Sequence, residues 1–278
     1  MTRISFWCAA LLTIQGLEVF AGGENETAGA RSHALGNASV SLVDGWSVTN
    51  NQGALGLLDQ YFLGAAYESR YFLPEAGFAA FSFAGPLGGG SIGVVAHSYG
   101  YATYRDNRMG LSYGRKLSEL ISLGVQLNYS EVRIAGNYGR SASLVAEIGM
   151  LVTPNEKWRI GAHLYNPTRS RLAEFDDERI PTVLSLGTSY IFSEKVRWML
   201  EVEKGLDQPV NFQTGIEYEP VDHFFLRTGY STLNGSFGFG LGYKWNNMLI
   251  DISNQWDQSI GFGATLSLGY AFGKRKTS

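Results

Sequence analysis

Apolar and polar residues alternate along most of this chain, in segments of about ten residues that each end at a turn. The clearest segment is Ile121–Tyr129, where large apolar residues alternate with Ser, Gly, Gln and Asn. Because successive side chains of a β-strand point to opposite faces, this segment has one apolar face and one polar or small-residue face. We count about fourteen such segments. They predict an all-β fold, a 14-stranded antiparallel transmembrane β-barrel with a short N-terminal plug segment.

The connections between the predicted strands differ in length. Compact turns follow the even-numbered strands, whereas the longest connection, 167–181, follows an odd-numbered strand and carries four acidic residues (Glu174, Asp176, Asp177 and Glu178). Outer-membrane barrels have short periplasmic turns, and an even strand number leaves both termini periplasmic. We therefore predict a bacterial outer-membrane protein with both termini in the periplasm. The predicted strands are 61–69, 76–84, 90–99, 107–116, 120–134, 141–153, 157–166, 182–192, 195–203, 210–219, 223–231, 236–245, 247–255 and 261–272.

A soluble β-sandwich is the main structural alternative, because its strands alternate as well. Its outer faces would be polar, with about 7–9 strands. Here the faces that are not apolar carry Gly, Ser, Thr, Asn and charges of both signs, with little Lys. Aromatic residues near the strand ends suit the level of the lipid headgroups. They are Trp158, Tyr190, Phe192, Tyr218, Tyr230, Tyr270 and Phe272. These features favour a transmembrane barrel in contact with lipid over a soluble β-sandwich.

Composition removes several other classes of protein. Charged residues make up 17% of the chain, below the roughly 25% of soluble domains. An α-helical membrane protein would contain an apolar stretch of about 20 residues, and none is present. The net charge of −3 gives no basic surface for nucleic acid.

The N-terminus predicts a signal peptide over residues 1–21, with Arg3, an apolar stretch from Ile4 to Leu12, and a small-residue cleavage site at Val19–Ala21. Cys8 is the only cysteine, so cleavage leaves a chain without disulfide or thiolate chemistry. We assign residues 22–60 to the plug, 61–272 to the barrel and 273–278 to a basic C-terminal tail. Within the plug we expect a helical turn at 29–35, a short strand at 38–43 and a tight turn at 50–55.

Charged residues on the predicted inward faces form a candidate lumen network. Lys or Arg facing lipid at the midplane costs about 2–4 kcal/mol, so these residues belong in the lumen. They either form a polar pathway or ligand site, or a structural network that neutralises itself and holds the plug. The balance of signs favours the structural network, since buried ions persist only when paired. The residues are Glu147, Arg159, His163, Arg197, Glu201, Glu217, Arg227, Lys244 and Asp251.

Two motifs resemble enzyme signatures but lie in alternating strands. Gly110–Gly114 matches G-x-S-x-G, which requires a turn from strand to helix. Gly238–Gly242 has glycines at every second position and no helix after it, so we expect inward positions where the plug or a neighbouring wall comes close. His33, His97, His163 and His223 are scattered. We therefore expect no enzyme activity, no catalytic residues, no metal site and no cofactor.

Residues 28–56, AGARSHALGNASVSLVDGWSVTNNQGALG, resemble the N-terminal segment of the FadL-like outer-membrane barrels, most closely the PorV/PorQ branch of Bacteroidota. The family pattern is A-R-x-x-A-L-G-x-A-x-V-x-L-x-D-x-x-S-x-x-x-N-P-A-x-L. Its plug motif maps onto Arg31, Leu35, Gly36, Asp44 and Asn51, while Gln52–Gly53 replaces the step that contains proline.

The resemblance implies fourteen strands and no catalysis. FadL passes hydrophobic ligands through the barrel wall, whereas PorV and PorQ resemble partner-binding barrels of the type IX secretion system. The short loops favour a non-enzymatic partner subunit in protein secretion or surface assembly, bound to outer-membrane lipid and to other outer-membrane or surface proteins. The alternative is passive transport of hydrophobic small molecules, which predicts a wall opening or plug displacement. An open diffusion porin is the third hypothesis.

Overall fold

A computed structural model describes residues 27–136, 139–171, 179–233, 235–258 and 261–273. The predicted signal peptide, the four acidic residues of the 167–181 connection and the basic tail at 274–276 lie outside the described residues.

Fourteen antiparallel strands close into one barrel, with β1 hydrogen-bonded to β14 from Tyr61↔Phe272 to Ser69↔Ala264. This confirms the predicted 14-stranded fold, and the predicted strand ends agree to about three residues. The strands are β1 Tyr61–Ser69, β2 Gly77–Leu87, β3 Gly90–Gly100, β4 Tyr104–Lys116, β5 Ile121–Ile134, β6 Gly139–Val152, β7 Trp158–Tyr165, β8 Val183–Ser193, β9 Val196–Gly205, β10 Val210–Val221, β11 Phe224–Ser231, β12 Ser236–Trp245, β13 Met248–Asp257 and β14 Gly261–Phe272.

The outer face of the barrel is apolar and the inner face is polar or tightly packed. Along β5, exposed and buried residues alternate, and the outward Val125 and Leu127 are 56% and 55% exposed. The inward Asn128 is fully buried. Water would not support so many exposed apolar side chains on adjacent strands, so acyl chains surround this face.

The barrel has two distinct ends. We call the end where β1 begins and β14 finishes the terminal end, and the other the opposite end. Short turns such as 88–89 and 246–247 lie at the terminal end, and the 166–182 connection lies at the opposite end. Aromatic rings group at the terminal end, where Tyr190 contacts Trp158 and Phe192 at centroid distances of 4.7 and 4.8 Å.

The segment 27–60, which we call the plug, lies inside the barrel. It contains α1 (Ala30–Ala34), α2 (Ser47–Asn50) and a 3₁₀ helix (Gln52–Leu57). Helix α1 contacts β11–β14, while the 3₁₀ helix contacts β2–β6. Two further 3₁₀ turns, Arg70–Phe72 and Pro74–Ala76, connect β1 to β2. Within the described residues, no helix is long and apolar enough to cross a membrane.

The helical turn predicted at 29–35 is confirmed as α1. It ends at Gly36, whose φ of 63° suits glycine. The strand predicted at 38–43 is wrong, because this stretch forms turns. The backbone N–H groups of Ser39 and Val40 donate to the Glu201 carboxylate instead of a β ladder.

Wall glycines let the plug backbone come close. A Cβ atom on Gly229 would lie 2.0 Å from the carbonyl carbon of Leu35, and one on Gly238 would lie 2.3 Å from the His33 oxygen. At Gly242 the nearest atoms belong to the wall side chains of Asp251 and Arg227. The predicted close approach at these glycines is confirmed, and Gly110–Gly114 lies within β4.

Candidate functional site

The plug is held at the terminal end of the lumen by Arg31 of α1. Its Nε and Nη2 atoms donate to the two carboxylate oxygens of Glu217 on β10, each at 2.8 Å. Its Nη1 donates to Asp44, elsewhere in the plug, at 2.8 Å. Planar guanidinium and planar carboxylate match in this bidentate geometry, which fixes orientation as well as charge. Arg31 therefore ties the helix to the wall and to the rest of the plug.

Burial opposes the charged form of Arg31, but the Glu217 and Asp44 carboxylates outweigh it and raise the Arg31 pKa above its ordinary value. Glu217 also accepts from Arg227 Nε at 2.7 Å and from Arg197 at 3.4 Å. Arg227 in turn donates to Asp251 at 2.5 Å. Six predicted residues, counting Arg31 and Asp44 of the plug motif, thus form one continuous ion network.

A second group holds the middle of the plug. Glu147 on β6 accepts from the side-chain amide of Gln52 at 2.7 Å and contacts His163 Nε2 at 2.9 Å. Asn128 also donates to Glu147, at 2.6 Å. The Asn51 side chain donates to the Met150 carbonyl at 2.9 Å. These bonds satisfy polar groups that are buried away from bulk water.

The remaining predicted residues have other surroundings. Glu201 accepts the Ser39 and Val40 N–H groups at 2.8 and 2.9 Å. Lys244 lines a cavity of about 250 Å³ at the terminal end, together with Arg31, Arg197 and Glu217. Neither Lys244 nor Arg159 has an ion-pair partner among the residues that the structure describes.

The plug-motif residues each contact the wall or close the plug upon itself. Leu35 packs against the backbone at Gly215 and Gly229, and the chain at Gly36 approaches the Tyr230 backbone. Asp44 accepts the Trp46 N–H at 2.9 Å in addition to Arg31.

Sequence reasoning missed Gln52, Gln126 and Asn128, which surround Glu147. Gln126 donates to Glu147 at 3.2 Å. Gln52 occupies a position at which this chain departs from the family pattern, and this departure was a sequence signal that could have identified it as a site residue. The amides of Gln126 and Asn128 occupy inward positions of β5, but an uncharged inward residue carries no indication of its partner.

Two buried apolar clusters lie inside the barrel, one toward the opposite end and one beside the plug. The upper apolar cluster consists of Tyr104, Val132, Val145, Tyr165, Ile180 and Val183. Tyr104, Val132, Tyr165 and Val183 lie near the opposite-end terminus of their strands, and Val145 lies at the middle of β6. The plug-side apolar cluster consists of Ala28, Trp46, Phe62, Ala66, Phe78, Ala80 and Tyr99. Trp46 meets Phe62 edge to face at 5.9 Å, so the plug contributes directly to this apolar cluster.

Two arginines stack on these aromatic rings. Arg108 lies 5.1 Å from the Tyr165 ring centroid, and Arg70 lies 5.4 and 5.1 Å from those of Phe78 and Tyr99. Such cation–π contacts keep the arginine charge compatible with an aromatic lining. Arg70 also pairs with Glu68 at 3.1 Å, so the charges near the opposite end lie among aromatic rings, whereas those at the terminal end form an extended ion network.

The wall has a seam between β6 and β7, beside the upper apolar cluster. The two strands are paired from Glu147↔Tyr165 to Val152↔Ile160. Past the Glu147↔Tyr165 pair, toward the opposite end, the connection that follows β7 lies beside β6. The Asn166 N–H donates to the Ala146 carbonyl at 2.9 Å, and Ser170 Oγ donates to the Leu144 carbonyl at 2.5 Å. A side-chain hydrogen bond here replaces part of the backbone ladder.

Within the described ranges, no group of three or more His, Cys, Asp or Glu side chains is arranged to hold a metal ion.

No protein-family model and no curated protein matches the chain. Solved structures share its fold. The CymD monoaromatic hydrocarbon channel aligns at a TM-score of 0.69 and 14% identity, over 88% of this chain and 98% of its own. The Ralstonia pickettii toluene transporter TbuX aligns at 0.70 and 12%, over 90% and 99%. A Pseudomonas aeruginosa FadL homologue aligns at 0.60 and 13%, over 91% and 99%. Across nearly its whole length, this chain thus has the barrel fold of FadL-type channels.

Proposed function

We propose that this protein is a non-enzymatic outer-membrane channel that lets small hydrophobic molecules cross the membrane, with its terminal end in the periplasm. The observation that carries the proposal is the buried apolar cluster toward the opposite end of the lumen. Tyr104, Tyr165 and Ile180, the last two almost fully buried, pack into an apolar cluster whose opening would offer an apolar surface at the side from which a solute would enter. Apolar solutes gain free energy by leaving water for such a surface, at roughly 25 cal/mol per Å².

The same cluster disfavours an open diffusion porin. Porins conduct through a polar, water-filled lumen. Val132, Val145 and Val183 are almost completely buried in an apolar cluster, so a hydrated ion or sugar would have to give up hydrogen bonds to water to enter between them. Farther in, the solute would meet the plug, whose Leu35 and Leu55 are fully buried.

A transport route requires movement of either the plug or the wall, because all fourteen strands are paired into a closed barrel. The β6–β7 seam is the place where wall movement breaks the fewest backbone bonds. Ser170 can release the Leu144 carbonyl without disturbing the paired stretch 147–152. We propose that solutes pass between the upper apolar cluster and the bilayer at this seam.

A partner subunit in type IX-like secretion, the function favoured by the sequence, is the second candidate. The transport proposal is supported by the similarity to CymD and TbuX. The connections between strands, which are short apart from 166–182, still favour the partner role. The PorV/PorQ resemblance of the plug motif stays a prediction. Purification in mild detergent tests it: co-purified secretion or assembly components, together with normal hydrocarbon uptake in a deletion strain, would support the partner role instead.

The transport test uses a cross-link across the seam. The chain after the predicted cleavage site contains no cysteine, so Leu144→Cys with Ser170→Cys creates one addressable pair. A short bis-maleimide applied to cells should lower uptake of a radiolabelled monoaromatic hydrocarbon at least about tenfold, as closing a dominant route requires. The control pair, Val125→Cys with Ile148→Cys, joins outward-facing cross-strand neighbours in the intact β5–β6 ladder. Its cross-linking should leave uptake unchanged, and equal uptake in both cross-linked proteins would reject the seam as the route.

A further inference from the structure

Three arginines form a row across the outer face of the barrel, near the opposite end. Arg105 on β4 is the direct cross-strand partner of Arg133 on β5, and Arg133 is the partner of Arg140 on β6. All three are exposed. Their strands lie about 4.8 Å apart, so the row spans about 10 Å.

Like charges that face each other directly across strands are destabilising. One carboxylate, Glu131, lies beside the row and approaches Arg140 at 3.6 Å. Arg105 and Arg133 have no ion-pair partner in the part of the chain that the structure describes. One carboxylate against three guanidinium groups leaves a net charge of +2 in this patch. The folded protein therefore gains stability when an external anion binds to this arginine row.

The row lies at the level of the lipid headgroups. Arg105 and Arg115 both point outward from β4, and the outward residues between them are Asn107, Met109, Leu111 and Tyr113. At about 3.3 Å per residue they are about 33 Å apart along the strand, and a tilt of about 40° reduces this to about 25 Å. That distance equals the height of the apolar band of such barrels. The two arginines therefore mark the two faces of the membrane.

Two adjoining hollows on the outer wall share Glu131. The first, of about 790 Å³, is lined by the three arginines, Tyr101 and Ile134. The second, of about 550 Å³, lies nearer the middle of the band and is lined mainly by small and apolar residues, among them Ala79, Phe81, Ala96, Met109 and Tyr129. A cationic pocket directly above an apolar groove matches a molecule with an anionic head and acyl chains.

We propose that this double hollow binds an outer-leaflet lipid whose sugar headgroup carries more than one phosphate. Arginine forms bidentate hydrogen bonds with phosphate, and a row about 10 Å long is more than a single phosphate can cover. Glu131 and Asn107 accept or donate hydrogen bonds at the sugar level, and the groove beside Phe81 and Met109 receives an acyl chain. The binding site is separate from the transport route and holds whether or not hydrocarbons pass through the barrel.

The experiment measures lipid binding to the purified full-length barrel by native mass spectrometry. The probes are bis-phosphorylated lipid A, monophosphorylated lipid A, phosphatidylglycerol and inorganic phosphate. The wild type should bind the bis-phosphorylated lipid most tightly. The variant Arg105→Gln/Arg133→Gln/Arg140→Gln should bind it at least about tenfold more weakly, because charge-assisted hydrogen bonds to exposed groups are lost. Glu131→Gln should bind it more tightly, since the patch then carries a charge of +3.

The matched control neutralises three exposed cations at the terminal end, Arg115→Gln/Lys157→Gln/Lys195→Gln, and should retain wild-type binding. Heat-modifiable migration on gels shows whether each variant is folded. Equal loss of binding in both triple variants would show attraction to overall charge and overturn the proposal. Equal affinity for the monophosphorylated lipid or phosphatidylglycerol would also overturn it. Binding of inorganic phosphate as tight as that of lipid A would identify a free-phosphate site and reject the lipid.

Discussion

Replacement of Arg31 by alanine should release the plug from an otherwise intact barrel. Removing one member of a buried ion pair costs about 3–5 kcal/mol. Glu217 would keep Arg227 at 2.7 Å and Arg197 at 3.4 Å, so its charge stays compensated and the cost falls near the low end, about 3 kcal/mol. Because 1.4 kcal/mol is a factor of ten, the equilibrium between docked and undocked plug should shift by about 100-fold.

Amide hydrogen exchange in lipid nanodiscs measures this shift region by region, since exchange rates follow the local opening equilibrium. Amides of 30–57 should exchange about 100-fold faster in Arg31→Ala, while amides of β1–β14 keep their protection. Arg159→Ala is the control, because it removes a lumen cation that has no ion-pair partner among the described residues. It should leave plug exchange unchanged.

Two outcomes would refute this reasoning. If plug exchange in Arg31→Ala equals that of the wild type, the ion network does not hold the plug. If plug and strand amides accelerate together, plug and barrel form one cooperative unit, and the plug cannot move alone.

Three further predictions concern the same interface. Glu147→Gln should lower the free energy of unfolding by about 2–4 kcal/mol in urea titrations. The neutral amide would replace a carboxylate that accepts hydrogen bonds from Gln52 and Asn128. An unchanged midpoint would contradict the central role of this carboxylate. Gly229→Ala should raise protease sensitivity of the plug, since its Cβ would lie 2.0 Å from Leu35 backbone, whereas Gly205→Ala meets only the flexible Gln208 side chain and should have no effect. Deletion of residues 27–58 should produce steady conductance in planar bilayers, and the wild type should show none; steady wild-type conductance would indicate an open porin.

The barrel was predictable because its signal is local. Each strand displays a period of two within its own residues, as in Ile121–Tyr129, and the strand bounds follow without knowledge of any partner. The plug was only partly predictable. Helix α1 has a local stop signal at Gly36, but Ala38–Val43 has strand-like alternation and is held in turns by Glu201, a residue far along the chain.

The candidate site needed the register of the sheet. Inward charges were recognisable because lipid excludes them, but the pairing of Arg31 with Glu217 depends on how the plug sits against β10. The arginine row could not be predicted from the sequence for the same reason. Arg105, Arg133 and Arg140 lie on three different strands and become neighbours only through the pairing of β4, β5 and β6.

The two halves of the lumen imply how a hydrophobic solute would act on the plug. A ligand shifts an equilibrium only through contacts that differ between the two states. An apolar molecule gains nothing from the ions around Arg31, but it can replace Trp46 against Phe62 and so favour the undocked plug. Apparent affinity is reduced by the fraction of molecules in the binding-competent state. Arg31→Ala should therefore bind a radiolabelled monoaromatic hydrocarbon more tightly in nanodiscs, by up to about 100-fold, and Arg159→Ala should match the wild type. Equal affinity in all three proteins would mean that the solute does not distinguish docked from undocked plug, and the route would then lie wholly at the β6–β7 seam.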